Sequence, residues 1–214
     1  MKKHFIDGKM FLFEHLLAVL SFCLFFSFPA KGVFQEMLSS IVFLGIFPLL
    51  VIQFVFKKSL REYGIAWMSE KWNFAILFFA LFGSLGILYV ACRVFSEIQN
   101  YRVPVGIAEN FGFFIFYALI ISVVSVLAYE VIFRGLIFRS WEKNFGYLAV
   151  MAQFFFFTLL LSATDGIRWQ SFPILLSTLV SGGVRYYTKS LYFSFLFSWL
   201  FGIIGDVLII YFFR

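Results

Sequence analysis

The sequence predicts an all-α membrane bundle of about seven transmembrane helices, and three observations carry that expectation. Of 214 residues, 63% are hydrophobic and 13% charged, against roughly half and a quarter in soluble domains. The mean hydropathy is +0.97. The apolar residues fall into seven stretches near the roughly 20 residues needed to cross a hydrocarbon core of about 30 Å. The bilayer, not water, is the solvent for this chain.

Taken in order, the runs cover 11–29, 34–56, 73–92, 111–138, 146–164, 171–187 and 190–213. The first follows Lys2, Lys3 and Lys9 and resembles a signal peptide. Cleavage needs small residues before the cut, however, and Phe28-Pro29-Ala30 places Phe at the critical upstream position, so a retained first helix is expected. Glu14 and His15 interrupt this run; adjacent on a helix, they point about 100° apart and suit interfacial anchoring better than a ligand pair. The second run gives way to a charged connection, 57–72, holding Lys57, Lys58, Arg61, Glu62, Glu70 and Lys71. A second long connection, 93–110, follows the third run, and only Tyr187-Thr188-Lys189 separates the last two. With no repeat or low-complexity tail, residues 1–214 read as one transmembrane domain with its motif region at about 111–213. Six or eight helices remain alternatives, because 164–190 could be partly re-entrant.

Basic residues set orientation. With the N-terminus in the cytoplasm, the inner segments hold 12 Lys and Arg residues: Lys2, Lys3, Lys9, Lys57, Lys58, Arg61, Lys71, Arg134, Arg139, Lys143, Arg185 and Lys189. The outer segments hold 5: Lys31, Arg93, Arg102, Arg168 and Arg214. A cytoplasmic N-terminus and an external C-terminus are expected.

Composition also excludes several functions. A net charge of +6 could suggest nucleic acid, but a nucleic-acid site needs a soluble basic face. Here the basic residues lie between apolar runs. Cys23 and Cys92 form no CxxC or Cys/His cluster, so neither a disulfide framework nor a thiol-held metal is indicated. The only histidines, His4 and His15, are N-terminal. That removes a rhomboid-type Ser–His dyad, bis-histidine haem and an HExxH zinc site; no metal and no cofactor are expected. The 35 phenylalanines read as lipid-facing and inter-helix packing. No helix carries a polar stripe along its length, which disfavours a transporter or channel.

Ionisable residues inside a membrane are costly and mark functional candidates. Ala128-Tyr129-Glu130-Val131-Ile132-Phe133-Arg134-Gly135 lies in the fourth run. Glu130 and Arg134 are four apart, on one helix face and able to pair; an ion pair that offsets its own desolvation is the plainest account. Asp206, toward the outer end of the seventh run, suits a solvated or helix-paired role. Ser122 and Ser125, with Ala118 and Ala128, make a small-residue stripe suited to packing.

The segment Tyr-Glu-Val-Ile-Phe-Arg-Gly at 129–135 resembles the EExxxR motif of the CAAX-protease and bacteriocin-processing family (CPBP, also called Abi). A weaker similarity extends over about 60–206, through Leu60-Arg61-Glu62-Tyr63-Gly64-Ile65 and Thr188-Lys189-Ser190. The resemblance implies a membrane-embedded glutamate that activates water, helped by histidines on two later helices; some members cleave prenylated proteins, others serve bacteriocin maturation or self-immunity. Glu130 and Arg134 take the motif's catalytic positions, while Tyr129 replaces its first glutamate. The FxxxH motif expected in the fifth run meets Phe154 to Phe157 and Thr158 but no histidine. At the HxxxN or HxxxD motif, Ser198 takes the histidine position and Gly202 the Asn/Asp position. The fourth, fifth and seventh helices are expected to converge on a pocket below the cytoplasmic face, walled by Phe, Leu, Ser and Thr. Ser198, Thr158 or Arg134 would have to replace the missing oxyanion donors.

The expectation is therefore a catalytically degenerate member: a membrane-embedded binding, scaffold or immunity-type subunit of the bacterial inner membrane. Its partners would be the lipid bilayer and a peptide or second membrane protein. The alternative is an active intramembrane endopeptidase using Glu130.

Overall fold

A computed structural model describes residues 2–29, 31–65, 71–99, 110–164 and 166–213, and the side chain of His4 lies outside that description. Seven long helices follow one another: α1 (Lys2–Ser27), α2 (33–55), α3 (Lys71–Val94), α4 (Phe111–Phe145), α5 (Leu148–Thr164), α6 (Phe172–Thr188) and α7 (Leu191–Phe213). Among the described residues there is no strand. Segments of α1, α2, α3, α4 and α7 are long and apolar enough to cross a membrane. The 17-residue α5 and α6 are shorter. This is an integral membrane protein built as an all-α bundle.

The fourth helix runs past the apolar stretch, which ends near 138, to Phe145. Its last two turns, Phe138–Phe145, are amphipathic, and Gly146 ends them at φ +55°. At the other end Asn110 caps the helix, its Oδ1 accepting from Phe113 N at 3.1 Å. Two wide π turns, Tyr117–Ile121 and Val131–Ile137, interrupt α4, and α2 contains two more. Apolar periodicity alone does not signal them.

Two apolar clusters build the interior. One joins α1, α2, α4 and α5 through Leu17, Leu44, Ile52, Ile132, Phe133 and Phe157. Gly45 lets α2 come against Ala128, whose β-carbon lies 3.7 Å from the position a Gly45 side chain would take. The other joins α3, α6 and α7 through Leu81, Leu88, Val184, Phe193, Phe197 and Phe201. Phenylalanines divide between these cores and the outer face, where Phe54, Phe78, Phe79 and Phe82 are exposed. In an integral membrane protein such exposed apolar side chains face lipid.

One end of the bundle is covered by the turn after α2. Leu60–Tyr63 forms a 3-10 turn, and Gly64 follows at φ +78°. Tyr63 is buried and donates its hydroxyl to Oε1 of Glu14 at 2.8 Å. Burial and the Glu14 carboxylate both push the Tyr63 hydroxyl well above its ordinary value. The Arg139 guanidinium lies 4.1 Å from the Tyr63 ring centroid and donates from Nη2 to Oε2 of Glu62 at 3.1 Å. Burial acts to raise the Glu62 pKa, but Arg139 and Lys58 outweigh it and hold the carboxyl below its ordinary value. The Gly64 carbonyl accepts from Leu191 N at 3.0 Å, tying the turn to the start of α7.

Glu14 and His15 correct the expectation of interfacial anchoring. Glu14 is buried beneath Tyr63. His15 is half-buried, its Nε2 accepting from Trp141 Nε1 at 2.8 Å while Nδ1 donates to the Phe11 carbonyl at 2.7 Å. The two residues point apart, as their adjacency requires, yet both hold α1 against the covering turn and the end of α4.

Candidate functional site

The site lies at the seam between the two apolar clusters, where α4 faces α7. Glu130 is the last residue before the second π turn of α4 and is fully buried. Arg134, one turn on, donates from Nη1 to Glu130 Oε1 at 2.5 Å. Ser194 and Ser198 sit four apart on α7 and so share a face. Ser198 Oγ donates to the same Oε1 at 2.8 Å, and Ser194 Oγ donates to Oε2 at 2.7 Å. One carboxylate thus receives three donors, one of them charged.

Arg134 is held in turn by α6. Its Nη2 donates to Ser181 Oγ and to the Thr178 carbonyl, the latter at 3.3 Å. The same carbonyl accepts from Gln153 Nε2 of α5 at 3.0 Å. Gln153 reaches it because Gly182 is a glycine: a β-carbon there would overlap the Gln153 amide. Four helices are joined through one polar cluster. Buried polar groups in such a cluster need their partners, since an unmade hydrogen bond in low dielectric costs more than a made one gains.

Beside the cluster lies a cavity of about 510 Å³. Its floor is formed by Arg134, Thr178 and Ser198, and its walls by Tyr129, Phe133, Phe157 and Phe201. The floor residues are buried, whereas Phe26, Glu36 and Ile174 at the far end of the lining are exposed. The mouth is therefore at the end away from the covering turn. Leu60–Tyr63 and Gly64 occupy the basic end, and their contacts with Glu14, Arg139 and Leu191 close it.

The predicted site residues are thus placed as follows. Glu130, Arg134 and Ser198 come together in direct contact. Tyr129 lines the cavity, stacked on Phe133 with ring centroids 6.3 Å apart. Gly202 also lines it, with open space where a side chain would project. Thr158 does not reach the site: its hydroxyl donates to the Phe154 carbonyl of its own helix at 2.8 Å. The small-residue stripe on α4 is divided, because Ala128 packs on Gly45 while Ser122 and Ser125 line the cavity. Asp206 is buried on the cavity wall rather than solvated.

Sequence reasoning missed Ser194, Thr178, Ser181 and Gln153. Each is a polar residue within an apolar run, where hydropathy averaging absorbs it. The available signal was spacing: Ser194 with Ser198, and Thr178 with Ser181 and Arg185, recur at helical intervals.

Residues 111–204, which span α4 to α6 and much of α7, match a family model described as type II CAAX prenyl endopeptidase Rce1-like. Over these residues the chain is similar to the CAAX-protease and bacteriocin-processing family. No curated protein and no solved structure gives a match. Within this stretch the cavity-facing residues of α5 are Phe157, Leu160 and Leu161. No histidine lines the cavity among the described residues, and none of their His, Cys, Asp and Glu side chains group in threes as a metal site would need.

Proposed function

We propose that this CPBP protein is catalytically silent and acts by binding, holding a peptide or a helix of a second membrane protein in the cavity beside Glu130. The observation that carries the reading is the cage around that carboxylate: Arg134, Ser194 and Ser198 donate to it, and it exposes no surface. A general base must reach the water it activates, and Glu130 is turned to three internal donors instead. Ser198 could replace a lost oxyanion donor only by giving up its bond to Glu130. Losing such a donor typically costs about 3 kcal/mol of transition-state stabilisation. The cavity itself remains, walled by aromatic and small polar side chains suited to an apolar segment with a few polar groups.

We further propose that the protein resides in a bacterial inner membrane, with its N-terminus and the covered, basic end in the cytoplasm. Arg139, Lys143, Lys189 and Arg61 belong to segments meeting at that end, in agreement with the bias of positive charge toward the cytoplasm. The cavity mouth then faces the outer side. Reporter fusions after Lys143 and Lys189 should give cytoplasmic signals, and a periplasmic signal at Lys143 would reverse the orientation.

The functional test compares wild type with Glu130→Gln, purified in nanodiscs and also expressed in cells with membrane-protein and peptide substrates encoded nearby. No cleavage above the variant is expected for prenylated or unprenylated peptides. A product formed only with Glu130 intact, at equal protein level, would make the chain an active endopeptidase and end the binding reading.

A further inference from the structure

At the covered end, two arginines hold buried N–H groups that meet no acceptor. Nε of Arg185 and Nη1 of Arg139 are buried and have no hydrogen-bond partner among the described residues. The residues expose only 3% and 8% of their surface. They flank one turn. Arg139 lies over the Tyr63 ring, and Arg185 packs so closely on Gly64 that a β-carbon there would overlap its guanidinium. Among the described residues Arg139 has one anionic partner, Glu62, itself 40% exposed. Arg185 makes no ion pair among the described residues and rests 5.7 Å from the Phe138 ring centroid.

Among the described residues the carboxylates of this end already have partners: Glu14 holds Tyr63, Glu142 holds Lys189 and attracts Arg185 without touching it, and Glu62 holds Arg139 and Lys58. A buried guanidinium N–H that meets no acceptor is unfavourable, and two such groups flank this one turn. An acceptor that serves both arginines would be anionic and carry several oxygens in a tetrahedral or planar fork. Phosphate fits the guanidinium geometry. At the end of a membrane bundle, phosphates come in a dense layer at the level of the helix termini.

We infer that Arg139 and Arg185, roofed by Glu62-Tyr63-Gly64, form a binding site for a phosphate oxyanion, supplied by the headgroup of an anionic phospholipid. The site is separate from the Glu130 cavity and independent of whether that cavity is catalytic. An occupied site would neutralise the charge beneath the turn and fasten it against α6.

The test is retention of lipid by the full-length protein in detergent, read by native mass spectrometry and by the melting temperature, with phosphatidylglycerol against phosphatidylcholine. Wild type is expected to retain phosphatidylglycerol preferentially and to melt higher with it. Arg185→Gln should weaken that binding roughly tenfold or more, as loss of a charged hydrogen-bond donor does. Lys143→Gln, at the same end but exposed, should cost at most about fivefold. Equal losses in these two variants would mean a diffuse basic surface and overturn the site. So would a wild type that retains both lipids equally. If Arg185→Gln does not fold, Arg185→Lys keeps the charge and removes the Nε donor; unchanged lipid preference in it would equally overturn the proposal. Inorganic phosphate is added to lipid-free protein as a further arm. Stabilisation by phosphate that Arg185→Lys lacks, matching that given by lipid, would support the oxyanion site and assign its ligand to soluble phosphate.

Discussion

Ser198 gives its hydroxyl to Glu130 at 2.8 Å, across the seam between α7 and α4. By the motif resemblance, the contact joins the position where a histidine is expected to the motif glutamate. An imidazole there could hand protons to a substrate; a serine hydroxyl bonded to the carboxylate secures the carboxylate instead.

Breaking the Glu130–Arg134 pair from one side should be severe. Arg134→Met leaves Glu130 buried with only its serine donors, and a loss of about 3–5 kcal/mol of stability is expected. The double variant Glu130→Gln/Arg134→Met removes both charges and should recover most of that loss. Melting temperatures in detergent, compared as a double-mutant cycle, check this; a double variant as unstable as the sum of the singles would show that the pair is not coupled.

The serine cage can be opened one donor at a time. Ser194→Ala and Ser198→Ala should each cost roughly 1.5–3 kcal/mol, the range for hydrogen bonds to charged groups. Their effects should shrink to about 1 kcal/mol in a Glu130→Gln background, where the acceptor is neutral. Thermal denaturation of the six proteins, the two backgrounds and each serine variant in both, is sufficient. Equal losses in both backgrounds would place the serines' effect in packing.

Gly202 offers a way to fill the cavity without disturbing the cage. Its side-chain position is open, so Gly202→Leu should fold, with stability within about 1 kcal/mol of wild type or higher, because an interior helical glycine is itself unfavourable. The binding reading predicts that a peptide or partner helix photocrosslinked at Ser125 in wild type no longer crosslinks in this variant. Undiminished crosslinking would move the binding surface out of the cavity.

Gly64→Ala combines two penalties. The residue sits at φ +78°, and the added β-carbon would meet the Arg185 guanidinium. A loss of about 2 kcal/mol or more is expected from backbone strain and displacement together. Limited proteolysis should show the covering turn cut earlier than in wild type; an unchanged cleavage pattern would mean that Arg185 moves aside freely.

Acid should loosen the same turn. The Glu62 carboxyl is held below its ordinary value, so its pairing with Arg139 contributes fully above the unfolded value near 4.5 and is lost as pH falls through the lower folded value. Because Glu62 is 40% exposed, the contribution is screened and small. Glu62→Gln should remove the acid-dependent step in proteolysis of the turn; an identical step in that variant would assign it to another group.

The helices were legible because hydropathy runs mark membrane segments well. The approximate bounds of most of them follow from these runs; α1 starts earlier, at Lys2 in the charged leader, and α4 ends later, where Arg139 to Lys143 continue the helix through polar sequence. Glu130 and Arg134 were legible from spacing and motif. Ser194 and Gln153 were not, since what gives them importance is the opposite helix and not their neighbours in sequence. The side on which the cavity opens was also hidden, because it depends on Tyr63 and Gly64 folding back over the basic end.

The bond between Gly64 and Leu191 has a further consequence for how the chain is made. The turn leaves the ribosome with α2, whereas its partner is the first residue of α7. Ser194 and Ser198 emerge later still, so a nascent chain that has inserted α4 carries Glu130 in the bilayer with Arg134 alone. The cover and the carboxylate's serine donors are thus completed only once the final helix is in place. A chain stopped before Leu191 would present an open end and an under-bonded carboxylate, a species prone to removal by membrane quality control.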